Sequence, residues 1–115
     1  MSNKNNHINY IELKTNSIDS SKSFYSKVFK WKFKDFGGDY SSFSGSGIRG
    51  GFQRIDGAVT NGTLVVLYHK NLNKVEKRVL DAGGVISCEI FSFPGGRRFH
   101  FIDPTGNELA VWSDR

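Results

Sequence analysis

The side chains best suited to bind a metal ion are three histidines and four glutamates that are spread along the chain. Zinc typically needs three or four protein donors, and non-haem iron needs two histidines and a carboxylate. None of these residues forms an H-x-x-x-H or H-E-x-x-H pair, so a site would have to be assembled across strands. The candidate ligands are His7, His69, His100, Glu12, Glu76, Glu89 and Glu108.

Two further motifs suggest chemistry that their surroundings do not support. Residues 45–50 match the G-x-G-x-x-G pattern, but a strand is predicted after them, and a dinucleotide site needs a helix there. Cys88 lies within a predicted strand with no histidine predicted beside it, so we interpret it as a buried, unreactive thiol. No serine stands in G-x-S-x-G. Nucleophilic catalysis is therefore disfavoured.

The segment Arg98–Ile102 places aromatic residues at alternate positions beside arginines, as in the base-stacking strand of RNA-recognition motifs. In that interpretation Phe99 and Phe101 stack on single-stranded RNA. In the alternative interpretation, both rings pack into the core from one face of the strand, and His100 and Ile102 face the other way. Both interpretations stay open at the level of the sequence.

Side-chain periodicity predicts strand, helix and strands, and then the same order again, which indicates an α+β fold with antiparallel pairing. Ser17 or Asp19 is the expected cap of the first helix, and Asn71 or Asn73 that of the second. The expected strands are 7–14, 31–36, 40–44, 50–55, 63–68, 85–91, 97–102 and 109–112. The helix residues expected to be buried are Phe24, Val28 and either Ile18 or Tyr25, and then Leu72, Val75, Val79 and Leu80.

Length and composition indicate one structural domain. We divide the chain into a disordered polar tail (1–6), a first module (7–57), a connector (58–62) and a second module (63–113). A single cysteine excludes an intrachain disulfide, and no apolar run follows the polar start, so a cytoplasmic location is expected. The net charge of +5 comes from dispersed lysines, which is typical of a solvated surface; no membrane contact is expected, and nucleic acid is a disfavoured partner.

Several segments, in order, resemble the vicinal-oxygen-chelate superfamily of glyoxalases, ring-cleaving dioxygenases and bleomycin-resistance proteins. Ser23–Trp31 is similar to the end of the family's first helix, with Lys30 where glycine is usual. Val79–Gly84 is similar to its second helix and stop, and Pro94–Phe99 with Asp103–Asn107 to its closing hairpin. The match is greatest to metal-ligand-poor members related to lactoylglutathione lyase. It implies two βαβββ modules whose curved mixed sheets form a cup, with the helices packed outside.

The resemblance also identifies the places where metal-using members carry one ligand on each of four strands. The first-strand place holds Tyr10, the second-module opening strand holds Leu64, and the last strand holds Ala110. The fourth place lies near Gly51 or Gln53. Leucine and alanine cannot coordinate a metal, so the resemblance implies that the usual metal centre, and with it any metal cofactor, is absent.

One departure would restore a divalent-metal site. Glu12 and Glu108 each lie two residues from a family ligand place, on the same strand face, and with His100 they would form an off-register site. Exposed carboxylates at the strand ends are the alternative explanation.

If the sheets curl as in the family, the hollow is lined by aromatic and aliphatic side chains and few polar ones, which is typical of ligand pockets. We therefore expect a binding protein for a small, partly planar or amphiphilic molecule, similar to bleomycin-resistance members. The resemblance also implies a homodimer, as the family often forms. The alternatives are a metal-dependent lyase or dioxygenase related to glyoxalase I, and single-stranded RNA binding. The expected ligand-binding residues are Tyr10, Glu12, Gln53, Leu64, Val66, Tyr68, His100, Glu108, Ala110 and Trp112.

Overall fold

The computed structural model describes residues 3–60 and 62–115. The start of the predicted tail and Asn61 of the predicted connector therefore lie outside the described residues. In the described part, two helices and eight strands follow each other as βαβββ twice, which confirms the predicted α+β class. The elements are β1 (Ile8–Thr15), α1 (Ile18–Phe29), β2 (Lys32–Asp35), β3 (Tyr40–Ser44), β4 (Arg49–Arg54), β5 (Thr63–Tyr68), α2 (Leu72–Asp81), β6 (Val85–Phe93), β7 (Gly96–Ile102) and β8 (Glu108–Ser113).

Both helices begin at a side-chain cap. The Ser17 hydroxyl accepts a hydrogen bond from the Ser20 backbone N–H at 3.2 Å, and the Asn71 Oδ1 accepts one from the Lys74 N–H at 3.1 Å. These bonds satisfy backbone donors that a first helical turn leaves without partners. Helix α1 ends at Lys30, which adopts the left-handed conformation (φ 64°) although the family favours glycine there.

The chain divides into two compact units, one of Tyr10–Leu64 and one of the N-terminal residues up to Asn9 with Val65–Arg115. In the Tyr10–Leu64 unit, the strand order is β2-β3-β4-β1, with β1 and β4 parallel and the other pairs antiparallel. A stack of rings lies between these strands and α1. Tyr25 stacks on Trp31 at 4.7 Å and contacts Phe52 at 5.4 Å, and Trp31 stacks on Phe43 at 4.6 Å (centroid distances).

The predicted apolar stripe of α1 is wrong for two of its residues. Phe24 and Val28 are 53% and 51% exposed, whereas Ile18 and Tyr25 are half-buried. Successive residues of a helix are rotated by about 100° about its axis. Because the ring of Tyr25 is directed onto the sheet, Phe24 and Val28 lie on the outer flank of the helix. In α2, Leu72 is fully buried as predicted, but Leu80 is 53% exposed.

In the Val65–Arg115 unit, the strand order is β5-β8-β7-β6, with β5 and β8 parallel and the other pairs antiparallel. Leu72, Phe99 and Val111 form the buried core beneath α2. Part of the predicted tail belongs to this unit and is bonded to it rather than disordered: the Asn6 N–H donates to the Tyr68 carbonyl at 2.8 Å, and the Asn5 Oδ1 accepts from Lys70. Among the described residues, no helix is both long and apolar enough to cross a membrane.

Candidate functional site

One group of predicted site residues lies on the sheet face of the Tyr10–Leu64 unit that is turned away from α1. Strand register places Glu12 beside Gly51, and Gln53 opposite Tyr40. Neighbours in register share a face, and residues two apart on a strand share it too. Tyr10, Glu12 and Gln53 are therefore brought to one face as predicted, and Tyr40 joins them.

Gly51 makes room for the ring of Tyr40. A Cβ at position 51 would lie 2.4 Å from the Tyr40 hydroxyl oxygen and 2.6 Å from the ring carbon that carries it. Tyr40 therefore occupies the space that a side chain at one possible fourth ligand place would need. Sequence reasoning missed Tyr40 as a site residue. The available signal was the glycine at a position where the family carries a donor, because an absent side chain leaves room for a neighbouring one.

Three polar side chains are hydrogen-bonded in series on this face. The hydroxyls of Tyr10 and Tyr40 share a hydrogen bond, and Tyr40 is also bonded to the Glu12 carboxylate. Because a carboxylate only accepts, Tyr40 donates to Glu12 and accepts from Tyr10. Burial, followed by the neighbouring Tyr10 and Glu12, raises the pKa of Tyr40 far above its ordinary value. Glu12 itself is 5% exposed. The arrangement therefore places a buried carboxylate beside two phenols whose rings are half-buried.

A separate group of predicted site residues lies on the face of the Val65–Arg115 sheet opposite α2. Register pairs Val66 with Ala110, and Tyr68 with Trp112. The rings of Tyr68 and Trp112 meet edge to face at 5.2 Å. The structure thus brings these four predicted residues together, but Val66, Tyr68 and Ala110 are almost fully buried and offer a ligand little surface. Trp112 is half-buried.

Hydrogen bonds fix the two rings of this face. The Trp112 Nε1–H donates to the Asn9 Oδ1 at 3.0 Å, and the Tyr68 hydroxyl donates to the Asp114 carboxylate. That bond is the main cause of a raised pKa at Tyr68 and of a lowered pKa at Asp114. Leu64, the remaining apolar residue predicted for the site, belongs to the Tyr10–Leu64 unit and is 8% exposed.

His100 and Glu108 are brought near each other but do not form a metal site. The His100 Nδ1 lies 4.0 Å from the Glu108 Oε2, and the same oxygen accepts a hydrogen bond from the Ser87 hydroxyl at 2.7 Å. Across residues 3–60 and 62–115, no three His, Cys, Asp or Glu side chains are gathered closely enough to hold a metal ion. Of the residues in the off-register hypothesis, Glu12 lies in the other unit.

One sequence expectation about β6 is wrong, and β7 matches one of its two open interpretations. The strand ladder sets Cys88 directly opposite His100, so a histidine does stand beside this cysteine. The register of β6 against β7 shifts on either side of Cys88. Because of these irregularities, the alternation of side chains along β6 does not predict which β7 residue lies opposite Cys88. Phe99 has no exposed surface, and Phe101 packs on the same core beneath α2. The two rings therefore pack into the core, as the second interpretation expects, and Phe99 offers no surface on which a base can stack.

His69 is explained by a structural role. It is 5% exposed, and its Nδ1 accepts a hydrogen bond from the Asn71 N–H at 2.9 Å, immediately before α2. Burial, and then the nearby charges of Arg78, Lys74 and Lys70, lower the pKa of His69 below its ordinary 6.5. A neutral imidazole that accepts a backbone hydrogen bond at a helix start is a capping group rather than a metal ligand.

Comparison with solved structures gives the fold. A glyoxalase/bleomycin resistance protein/dioxygenase superfamily member from Vibrio splendidus has a TM-score of 0.70 at 17% identity, over 90% of this chain and 96% of its own. A hypothetical protein from Bacillus halodurans has a TM-score of 0.77 at 13% identity, over 97% and 96%. The chain has the vicinal-oxygen-chelate fold. No family model and no curated protein sequence matches it.

A third structure with the vicinal-oxygen-chelate fold is the Mn(II)-bound glyoxalase from Novosphingobium aromaticivorans. It is similar to this chain with a TM-score of 0.68 at 22% identity, over 93% of this chain and 38% of that one. The present chain thus spans well under half of that protein.

The residues at the metal-ligand places of this fold do not fit a metal. Leu64 and Ala110 have no donor atom, and Gly51 has no side chain. The Tyr10 hydroxyl is already bonded to Tyr40, which keeps its own proton because its pKa is raised. A metal site of zinc or iron type needs at least three donors. With Tyr10 and, if Gln53 rather than Gly51 is the fourth place, the Gln53 amide, these places supply at most two.

Proposed function

We propose that the protein binds a small, partly planar or amphiphilic molecule without the help of a metal ion, in the manner of the bleomycin-resistance type of this superfamily. The observation that carries the proposal is the series Tyr10–Tyr40–Glu12, which stands on the open sheet face of the Tyr10–Leu64 unit. It provides a buried carboxylate acceptor and two aromatic rings. The proposed ligand therefore carries a ring and a hydroxyl or cationic group that donates to Glu12.

Physical reasons favour binding over a purely structural role for this series. A buried carboxylate is costly to desolvate, and replacing such polar groups by apolar ones often stabilises a protein. Gln53 and the rings of Tyr10 and Tyr40 remain only half-buried, so a ligand has surface to contact. Pockets that bind small molecules combine apolar walls with a few placed polar groups.

The test is a thermal-shift screen with planar and amphiphilic compounds, half of them with a hydroxyl or amine, in the presence of a chelator. We expect hits among the donor-bearing compounds, with affinity measured by calorimetry. Glu12→Gln keeps the shape of the side chain and removes its charge, so affinity for an amine-bearing hit should fall about tenfold or more. Glu89→Gln, on the exposed side of β6, is the matched control and should bind normally.

Two results would contradict the proposal. One is a complete lack of stabilising compounds although the protein is folded. The other is a hit whose binding disappears in chelator and returns with Mn(II), Zn(II) or Fe(II), because that would restore the metal-dependent alternative.

A further inference from the structure

One row of residues crosses the sheet of the Tyr10–Leu64 unit from its edge strand to Glu12. In the strand register, Lys34 pairs with Ser42, Ser42 with Gly51, and Gly51 with Glu12. Because neighbours in register share a face, Lys34 stands on the same face as Glu12, turned away from α1. Three strand spacings of about 4.8 Å, or about 14 Å in all, separate the two backbone positions. The row thus has a base at one end and an acid at the other.

Three more bases stand on the same face, each two residues along a strand from a member of this row. They are Lys32 on β2, Arg49 on β4 and Lys14 on β1. Among the described strand residues of this face, Glu12 is the one acid. One carboxylate neutralises at most one of the four bases. This surface, the basic face, is therefore strongly positive.

The two lysines of β2 carry charges that the protein itself does not neutralise. Lys32 and Lys34 are exposed, and no carboxylate within residues 3–60 and 62–115 forms an ion pair with either. The nearest acid in the sequence, Asp35, is the next residue along β2 and points to the other face of the sheet. There it forms an ion pair with Lys22 of α1 at 2.9 Å.

An exposed ring lies beside these lysines. Phe36 is 55% exposed, and the Lys34 ammonium lies 5.4 Å from the centre of its ring. The Phe36 N–H donates to the Tyr40 carbonyl at 2.8 Å, which sets the residue opposite Tyr40. Apolar rings next to a few charged groups are typical of surfaces that bind small aromatic molecules.

We propose that the ligand of this face carries a negatively charged group, a carboxylate, sulfonate or phosphate, which Lys32 and Lys34 bind. The inference rests on the proposed function and adds to it the charge of the ligand and its orientation. The anionic group lies at the end of the ring system opposite the group that donates to Glu12. Lysine ammonium groups form charge-assisted hydrogen bonds with such anions, and a positive surface attracts them from solution.

The position of Glu12 is the reason to choose a small molecule over a nucleic acid. A single strand laid across the sheet would bring several phosphates past this carboxylate, which repels them. A small molecule has one anionic group and can keep it at the β2 edge. Its other end then reaches Glu12 with a hydroxyl or an amine.

Matched pairs of compounds test the proposal: hydroxynaphthoic acids, with the two polar groups at opposite ends of the rings, and their methyl esters. The ester keeps the rings and the hydroxyl but has no charge. In calorimetry at low salt, the wild-type protein should bind each acid about tenfold more tightly than its ester. Added salt should reduce this preference, because it screens charges on an exposed surface.

The variant with Lys32→Gln and Lys34→Gln together should bind each acid about as weakly as its ester, with the affinity for the ester unchanged. The matched control carries Lys27→Gln and Lys74→Gln, which removes two exposed lysines from the helices instead. It should keep the preference for the acids. Circular dichroism of each variant shows whether the sheet remains folded.

Acids that bind no better than their esters, while both lose affinity in Glu12→Gln, would overturn this inference and leave the proposed function standing. A preference for acids that survives in the Lys32 and Lys34 variant would overturn it too. A folded protein that binds no compound of the set would remove both proposals. Tight binding of single-stranded RNA that needs these two lysines, without a preference for the acids, would assign the basic face to a nucleic acid and overturn the inference.

Discussion

At the scale of single residues, Gly51 determines what stands on the open face of the Tyr10–Leu64 unit. Because Gly51 has no side chain, the ring of Tyr40 fits beside it, and the Tyr40 hydroxyl is hydrogen-bonded to both Tyr10 and Glu12. A residue that has no functional group thus decides which functional groups meet. The same position is one possible place for a metal ligand in this fold, so one substitution both removes a donor and fills its space.

Gly51→Ala should destabilise the protein by about 1–3 kcal/mol, because the added Cβ overlaps the Tyr40 ring, which is held by its hydrogen bonds. In a Tyr40→Ala background the same substitution should cost less than about 1 kcal/mol. Urea unfolding of the wild-type protein, Gly51→Ala, Tyr40→Ala and the double variant measures the cost of Gly51→Ala in each background. Gly38→Ala is the control, since a Cβ there meets no atom within 4 Å, and it should be near neutral. Equal costs of Gly51→Ala in both backgrounds would contradict the argument.

His69 should make stability depend on pH. Its pKa is lowered in the folded protein, so between that value and the ordinary 6.5 the unfolded chain binds more protons. Stability is therefore fully present above about pH 6.5 and falls as pH decreases through this window. Chemical unfolding at a series of pH values measures the slope. His69→Gln, which cannot titrate, should flatten that slope, and an unchanged slope would assign it to other groups.

At the scale of elements, the ring of Tyr25 packs α1 on its sheet, and Ser21 and Lys22 add polar contacts to β1 and β2. The contacts of Tyr25 with Trp31 and Phe52 lie on the inner side, and neighbouring Phe24 lies outside. Tyr25→Ala should cost about 2–4 kcal/mol of stability. Phe24→Ala should cost less than about 1 kcal/mol, because this side chain is half exposed. Thermal or urea unfolding compares the two, and similar losses would mean that Phe24 is packed.

The closing turn between β7 and β8 is stabilised by one carboxylate. The Asp103 Oδ1 accepts hydrogen bonds from the backbone N–H groups of Thr105, Gly106 and Asn107 at 2.9–3.0 Å, and the bonds to Asn107 are the main cause of its lowered pKa. Asp103→Ala should lower the melting temperature, whereas Asp103→Asn, which keeps the Oδ1 acceptor, should lower it less. If both variants melt alike, the turn does not depend on this acceptor.

The elements themselves were largely predictable from the sequence, and their contacts were not. Alternation placed β3 and β5 at the residues where the structure has them, because each buries one face of a strand. Periodicity did not identify which flank of α1 is covered, since that depends on the single stack around Tyr25. Nor did it reveal that Tyr40 and Cys88 meet Gly51 and His100, because those contacts depend on a missing side chain and on an irregular ladder.

At the scale of the whole molecule, the two compact units do not follow each other along the chain, because the N-terminal residues up to Asn9 belong with Val65–Arg115. The bond between Asn9 and Trp112 joins residues that are 103 positions apart, inside the unit that also contains Val65–Arg115. During synthesis, the first strand leaves the ribosome long before the strand that carries Trp112. That unit can thus be completed only after nearly all of the chain has emerged, and contacts between such distant residues slow folding. Until then, the apolar segment Thr63–Tyr68 lacks β8, the strand with which it pairs in parallel. A ribosome-bound nascent chain should therefore be most vulnerable to proteases and aggregation in its later half.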